Sequence, residues 1–119
     1  MHIDRKQTTQ RMSRIVTHNQ TVYLCGQVTK DRDAGIRIQT RQTLEKIDAL
    51  LAEANSDKNH LLSVTIYLKN MADFAEMNLV WENWINPGFA PARACVNAAM
   101  ASEELLVEMT VIAAVKNDP

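Results

Sequence analysis

Two segments with apolar residues at helical spacing alternate with strand-like segments, and this alternation limits the folds that the chain can adopt. Residues 34–54 and 70–85 repeat apolar side chains every three or four positions, which predicts two amphipathic helices. Stretches of strand-like composition occupy residues 15–16, 22–25, 61–68, 92–98 and 105–115. Residues 1–12 show little periodicity, so we expect an irregular lead-in there.

The order of these segments predicts a β-β-α-β-α-β-β arrangement of the α+β class. Helices that cross over between strands pack most simply on one face of a mixed sheet. The strands are apolar, and the chain holds only 2 Trp, 2 Tyr and 2 Phe. We therefore expect neighbouring subunits to cover the other sheet face in a homo-oligomer. A length of 119 residues predicts a single domain over residues 1–119.

The charge balance argues against nucleic acid and anionic membranes as partners. The 13 Lys and Arg residues and 14 Asp and Glu residues leave a net charge of -1, which provides no large uniform field. The longest wholly apolar run, residues 111–115, is far shorter than the ~20 residues that cross a bilayer. The start of the chain lacks the apolar stretch of a secretory signal, so we expect a cytoplasmic protein in which Cys25 and Cys95 stay reduced.

The segment 91–109 holds the residues best suited to chemistry. In an extended strand, Arg93, Cys95 and Asn97 share one face. If residues 98–103 form a hairpin loop, Glu108 on the following strand falls opposite Arg93 or nearly so. A cation and a carboxylate would then project from adjacent strands out of apolar surroundings.

This pair has two interpretations. The first is a cross-strand ion pair, which contributes roughly 0.2–1 kcal/mol to the stability of a sheet. The second is a small-anion site, in which Arg93 binds a substrate carboxylate through two hydrogen bonds while Glu108 handles a water molecule or a proton. The spacing alone does not decide between them.

The same segment closely resembles the signature of a known family. The letters PARAC at 91–95, followed by EM at 108–109, are similar to the signature of the reactive intermediate deaminase (Rid) family, also called YjgF/YER057c/UK114. Three further stretches resemble family motifs: LCGQ at 24–27, QTRQTL at 39–44 and DFAEMN at 73–78. The similarity extends from about residue 11 to residue 115, nearly the whole chain.

The resemblance implies a fold and an activity. Family members have a chorismate-mutase-like α+β subunit and form a homotrimer with three pockets at the subunit interfaces. Typical members hydrolyse enamines and imines, such as 2-aminoacrylate, to 2-keto acids and ammonia. Imines hydrolyse in water unaided, so neither a metal nor an organic cofactor is expected.

The resemblance also implies roles for individual residues. Arg93 would hold the substrate carboxylate, and Glu108 would position or activate the attacking water. Gly26 and Cys95 would line the pocket, largely through backbone groups, and Asn78 would support it from the second helix.

One position departs from the family pattern. When Gly26 is aligned with the family's pocket glycine, Met12 stands where many members carry a tyrosine, and a matching Ser13 follows. Both residues are expected at the substrate site. Methionine offers a flexible apolar arm and no hydroxyl, which predicts a changed substrate preference and places the chain in a divergent, YoaB-like subgroup.

Two other functions remain open for this sequence. A binding module would hold a small carboxylate such as a 2-keto acid without turnover, so it would need Arg93 but not Glu108. A chaperone-like interaction protein would need neither residue.

The remaining candidate features are interpreted structurally. The three histidines, at positions 2, 18 and 60, lack the spacing of a helical metal site, so we expect no bound metal. Trp81 and Trp84 are interpreted as helix packing or a subunit contact rather than as a base-stacking platform.

Overall fold

The computed structural model describes residues 2–116 and is built around a six-stranded sheet. Its strands are β1 (Asp4–Thr8), β2 (Ser13–His18), β3 (Thr21–Val28), β4 (Leu61–Leu68), β5 (Ala92–Asn97) and β6 (Val107–Ala114). Its helices are α1 (Ile36–Glu53) and α2 (Phe74–Trp84). Met1 and residues 117–119 of the predicted domain lie outside the described residues.

The strands are ordered β1-β2-β3-β6-β4-β5 across the sheet. Strands β4 and β5 run parallel, whereas every other neighbouring pair is antiparallel. A parallel pair needs a crossover connection, and α2 provides it between β4 and β5. The predicted α+β class with a mixed sheet and two helices is confirmed, with one strand more than expected.

The additional strand lies in the segment expected to be an irregular lead-in. That expectation was wrong, because residues 4–8 form β1 and pair with β2. The hairpin is closed by a hydrogen bond from the Thr9 amide to the Met12 carbonyl at 2.8 Å. Lys6 Nζ donates to the backbone carbonyl of Glu53 at the end of α1 at 3.2 Å. An edge strand held by such polar contacts needs no apolar alternation, so periodicity did not reveal it.

The hydrophobic core lies between one face of the sheet and the two helices. Burial alternates strictly along β6, where every second residue from Val107 to Ala113 is buried and the residues between are half-buried. This two-residue period is the mark of a strand with one face against a core. Leu44, Ile47 and Met77 from the helices are fully or almost fully buried in the same cluster. Glu108 therefore points away from the helices.

The opposite face of the sheet is not covered by either helix. Tyr23 of β3 is exposed on it, while Tyr67 of β4 and Glu108 and Thr110 of β6 are half-buried. Within residues 2–116, neither helix combines the length and the hydrophobicity that a membrane span requires.

Candidate functional site

The structure separates the two residues that the sequence analysis placed opposite each other. Strand β4 lies between β5 and β6, with Val64 paired to Arg93 and Tyr67 paired to Glu108. The expected hairpin through residues 98–103 was wrong, because β5 pairs in parallel with β4 alone. Arg93 and Glu108 are therefore not neighbours in a single chain.

The two side chains also lie on opposite faces of the sheet. Val64, the register partner of Arg93, is buried against the helices, and Arg93 itself contacts α2. Glu108 lies between the buried residues Val107 and Met109, so its side chain lies on the face away from the helices. Among residues 2–116, neither Arg93 nor Glu108 forms an ion pair. The interpretation as a cross-strand ion pair was thus wrong.

Arg93 belongs to a group that we call the arginine cluster, made of Phe74, Asn78, Trp81, Arg93 and Cys95. Nη1 of Arg93 donates a hydrogen bond to Oδ1 of Asn78 at 2.8 Å. The guanidinium carbon lies 5.3 Å from the centre of the Trp81 ring and 6.0 Å from that of Phe74. The spacing 74, 78, 81 places all three α2 residues on one side of the helix. Cys95 follows two residues after Arg93 on the same face of β5.

The positive charge of Arg93 is not neutralised in this cluster. Its hydrogen-bond partner is a neutral amide, and the residue is exposed. A guanidinium has five N–H donors, so one bond to Asn78 leaves donors available. Such a group is suited to bind a carboxylate through two parallel hydrogen bonds.

Glu108 belongs to a second group, the glutamate cluster, made of Gly26, Tyr67, Glu108 and Thr110. The β3–β6 register shifts between Leu24 and Gln27, and this irregularity brings Gly26 under the Glu108 side chain. A Cβ atom at position 26 would overlap Oε2 of Glu108. Glycine at position 26 therefore leaves room for the Glu108 carboxylate.

The glutamate cluster opens into a shallow cleft of about 280 Å³. Tyr67, Thr110 and the backbone after β5, residues 98–100, line this cleft together with Glu108. The carboxylate thus has space for a small molecule on the uncovered face of the sheet.

The predicted residues Met12 and Ser13 lie at the start of β2. Met12 is 39% exposed and lines a cleft of about 350 Å³ with Arg14, Cys25 and Gly26. Gly26 therefore borders both this cleft and Glu108. The Ser13 hydroxyl instead lies 2.8 Å from the Thr8 hydroxyl in the β1–β2 hairpin.

Both cysteines are free and half-buried. Burial raises the pKa of the Cys25 thiol, although the nearby positive charge of Arg14 opposes this. Burial likewise raises the pKa of Cys95, against the influence of Arg93. Thiols with a raised pKa are protonated at neutral pH and are poor nucleophiles, so they fit a lining role.

Among residues 2–116, no group of three or more His, Cys, Asp or Glu side chains is placed to hold an ion.

Comparison with known proteins identifies the family. A family model described as Endoribonuclease L-PSP matches residues 3–115. The chain belongs to this family. This L-PSP family member is 40% identical to a RutC family protein of Haemophilus ducreyi, over 97% of this chain and 98% of that protein. It is 41% identical to the RutC family protein YoaB of Escherichia coli, over 88% of this chain and 91% of YoaB.

Solved structures support the family assignment. NMB1025 of Neisseria meningitidis, a member of the YjgF protein family, superposes with a TM-score of 0.96 at 42% identity. The match covers 99% of this chain and 98% of NMB1025. The resemblance to the Rid, or YjgF/YER057c/UK114, family is confirmed.

The sequence analysis missed the aromatic residues beside Arg93. Trp81 is 6% exposed and packs in the core, as expected, but it also flanks the guanidinium. The spacing of Phe74, Asn78 and Trp81 on one helix face was a usable signal. Tyr67 beside Glu108 had no such signal, because it depends on β4 lying in the middle of the sheet.

Proposed function

We propose that this protein hydrolyses small enamines and imines of 2-amino acids, such as 2-aminoacrylate, to 2-keto acids and ammonia, without a metal or organic cofactor. The observation that carries this proposal is the unneutralised guanidinium of Arg93, held by Asn78 on an otherwise polar-poor helix face. Membership in the Rid/YjgF family is compatible with an enzymatic role and adds support.

We place the complete site between two copies of the chain. The arginine cluster and the glutamate cluster lie on opposite sheet faces, so one copy cannot bring both to the same ligand. A contact between two different surface patches is heterologous, and repeating it produces a ring if the rotation closes. A homotrimer closes such a ring with three equivalent sites, and its assembly would cover the sheet face that the helices leave open.

In this site the substrate carboxylate binds the free N–H donors of Arg93, which orients the imine carbon. Glu108 of the neighbouring copy accepts a proton from water as the oxygen attacks that carbon. The proton passes to nitrogen in the tetrahedral intermediate. The hydroxyl proton of this intermediate then passes to the nitrogen, again through Glu108, as the C–N bond breaks. Ammonia leaves, and the carbonyl of the 2-keto acid forms. An enamine enters the same path after tautomerisation to the imine, in which the terminal carbon gains a proton from water and the nitrogen loses one to water.

The ligand in this proposal is a small imino or keto acid, and the reaction takes place in the cytoplasm. We do not extend the endoribonuclease description of the family to this chain. Its net charge is -1, and its three histidines stand at positions 2, 18 and 60. A net charge this close to zero provides no overall attraction to phosphates, and histidines this far apart in sequence do not indicate a pair for RNA cleavage.

Binding of a small carboxylate without turnover is the second candidate. The separation of the two clusters favours this candidate. Arg93 is positioned by Asn78 and not by Glu108, so it could bind a carboxylate without Glu108 taking part. Replacing Glu108 separates the candidates.

Glu108→Gln is expected to lower deamination about 10²–10⁴-fold, because glutamine cannot accept the proton of the attacking water. Binding of a 2-keto acid should change by less than about threefold, since Arg93 is intact. Steady-state kinetics and isothermal titration calorimetry measure the two effects. Glu103→Gln removes an exposed carboxylate from the preceding loop and is the matched control. Full turnover in Glu108→Gln would contradict hydrolysis by this route.

Gly26→Ala is expected to push the Glu108 carboxylate away from the β3 backbone, because the added methyl group overlaps Oε2. A displacement of about 1 Å at a reacting group can cost about 10²-fold in rate. The thermal melting temperature should move little, since the obstructing atom is the end of a flexible side chain.

Gly35→Ala is the control for this substitution, since a Cβ there meets nothing within 4 Å. The rate should fall in Gly26→Ala and stay unchanged in Gly35→Ala. Equal rates in both variants would show that the position of Glu108 does not matter for turnover.

A further inference from the structure

The rings of Phe74 and Trp81 lie on the same part of α2 and both approach Arg93. The guanidinium carbon is 5.3 Å from the Trp81 ring centre and 6.0 Å from the Phe74 ring centre, the range of a cation–π contact. Asn78 lies between them in sequence and accepts the only side-chain hydrogen bond that Arg93 makes among residues 2–116. We call Phe74 and Trp81 the aromatic bracket.

The aromatic bracket stabilises a cation without using up its charge. A carboxylate partner would neutralise Arg93, whereas an aromatic ring attracts the guanidinium through its electron-rich face. Ring contacts do not occupy N–H donors, so these remain free for a planar acid group. A guanidinium flanked by rings and tied by one amide therefore stays both charged and ready to bind.

The aromatic bracket also restricts where the guanidinium can move. Arg93 is an exposed residue on β5, the edge strand of the sheet, where a long side chain would otherwise sample many rotamers. Ordering such a side chain only when a ligand arrives lowers affinity. Rings that order it beforehand remove that cost from the binding step.

The aromatic bracket is itself anchored in the fold. Trp81 is 6% exposed in the core and packs against Trp84, with ring centres 5.6 Å apart. Trp84 donates from Nε1 to Asp48 of α1 at 2.9 Å, which ties this end of α2 to the other helix. Phe74 is 39% exposed, so it lies at the accessible rim.

We propose that Phe74 and Trp81 are positioning residues that hold the Arg93 guanidinium in place for the acid group of the ligand. This inference rests on the proposed role of Arg93 in the function above. It assigns to the two aromatic residues a contribution to carboxylate affinity beyond packing.

The test uses the full chain with Phe74→Leu, which removes a partly exposed ring without opening the core. We expect KM for the 2-imino acid and Kd for the corresponding 2-keto acid to rise about 3- to 30-fold, with kcat within about threefold of the unmodified chain. Phe74→Tyr, which keeps a ring, should have KM and Kd close to those of the unmodified chain. Trp81→Phe should have a smaller effect than Trp81→Leu for the same reason.

A merely structural role of Phe74 is excluded by comparing the affinities for a charged and a neutral ligand. The neutral amide of the same 2-keto acid should bind weakly and equally to the unmodified chain and to Phe74→Leu. Phe89→Leu is the matched control, because its ring is 47% exposed and is not stacked on a cation among residues 2–116. Unchanged constants in Phe74→Leu, or an equal loss for acid and amide, would overturn the inference.

Failure of the proposed function has a different signature. If the unmodified chain binds the 2-keto acid with this ring dependence but hydrolyses nothing, the positioning role stands and the deaminase activity is rejected. If Arg93→Ala binds the 2-keto acid as well as the unmodified chain, both proposals are rejected.

Discussion

Arg93→Ala is expected to lower the rate of deamination of 2-aminoacrylate about 10²–10⁴-fold while the protein stays folded. The substitution removes the only charged group of the arginine cluster, and with it the bonds that orient the substrate. Arg93 is exposed and makes one side-chain hydrogen bond, so the free energy of unfolding should change by no more than about 1 kcal/mol. A coupled assay that generates 2-aminoacrylate measures 2-keto acid release above the uncatalysed rate, and circular dichroism follows the melt.

Two further variants sharpen this experiment. Arg93→Lys keeps the charge but loses the planar pair of donors, so it should recover only part of the activity. Arg41→Ala removes an exposed arginine from α1 and should behave as the unmodified chain does. Turnover in Arg93→Ala equal to that of the unmodified chain would reject the proposed enzyme, whatever the fold.

Local patterns in the sequence predicted most elements of this fold. The segment 61–68 became β4 with the expected bounds, and the helix expected over 34–54 covers Ile36–Glu53. Such segments are determined by their own periodicity, because a buried face imposes a period of two or 3.6 residues. Strand β1 was not predicted because its residues are only exposed or half-buried, so its sequence shows no alternation of apolar and polar residues.

The order of strands was not available from local patterns. Residues 92–97 and 107–114 are consecutive strands, and consecutive strands often pair as hairpins. Here β6 inserts between β3 and β4, which leaves β5 at the edge in parallel with β4. Contacts between segments that are distant in sequence select this strand order. Local sequence patterns carry no information about such contacts.

The candidate site shows the same division between residue types and their partners. Arg93 was identified as a cation in an apolar strand, whereas Gly26 and Asn78 were assigned to the site by the resemblance to the Rid family. Their partners depended on topology. Arg93 contacts Asn78 rather than Glu108, and Glu108 lies over Gly26 instead.

This separation leads to the second large effect, which is recovery of activity from two inactive chains. Arg93→Ala retains Glu108, and Glu108→Gln retains Arg93. If each site takes Arg93 from one copy and Glu108 from the next, a mixed ring contains some sites in which both residues are intact. With equal amounts and random assembly, roughly one quarter of the sites should be intact, because each site draws its two residues independently from two copies.

The experiment mixes the two variants under conditions that allow subunit exchange, or expresses them together, and measures deamination against each variant alone. Native mass spectrometry should show three copies per particle and the mixed compositions. Recovery to about a quarter of the unmodified rate supports sites shared between copies. A mixture that exchanges subunits but stays as inactive as its components would place both residues of each site within one chain, which the strand order of this sheet opposes.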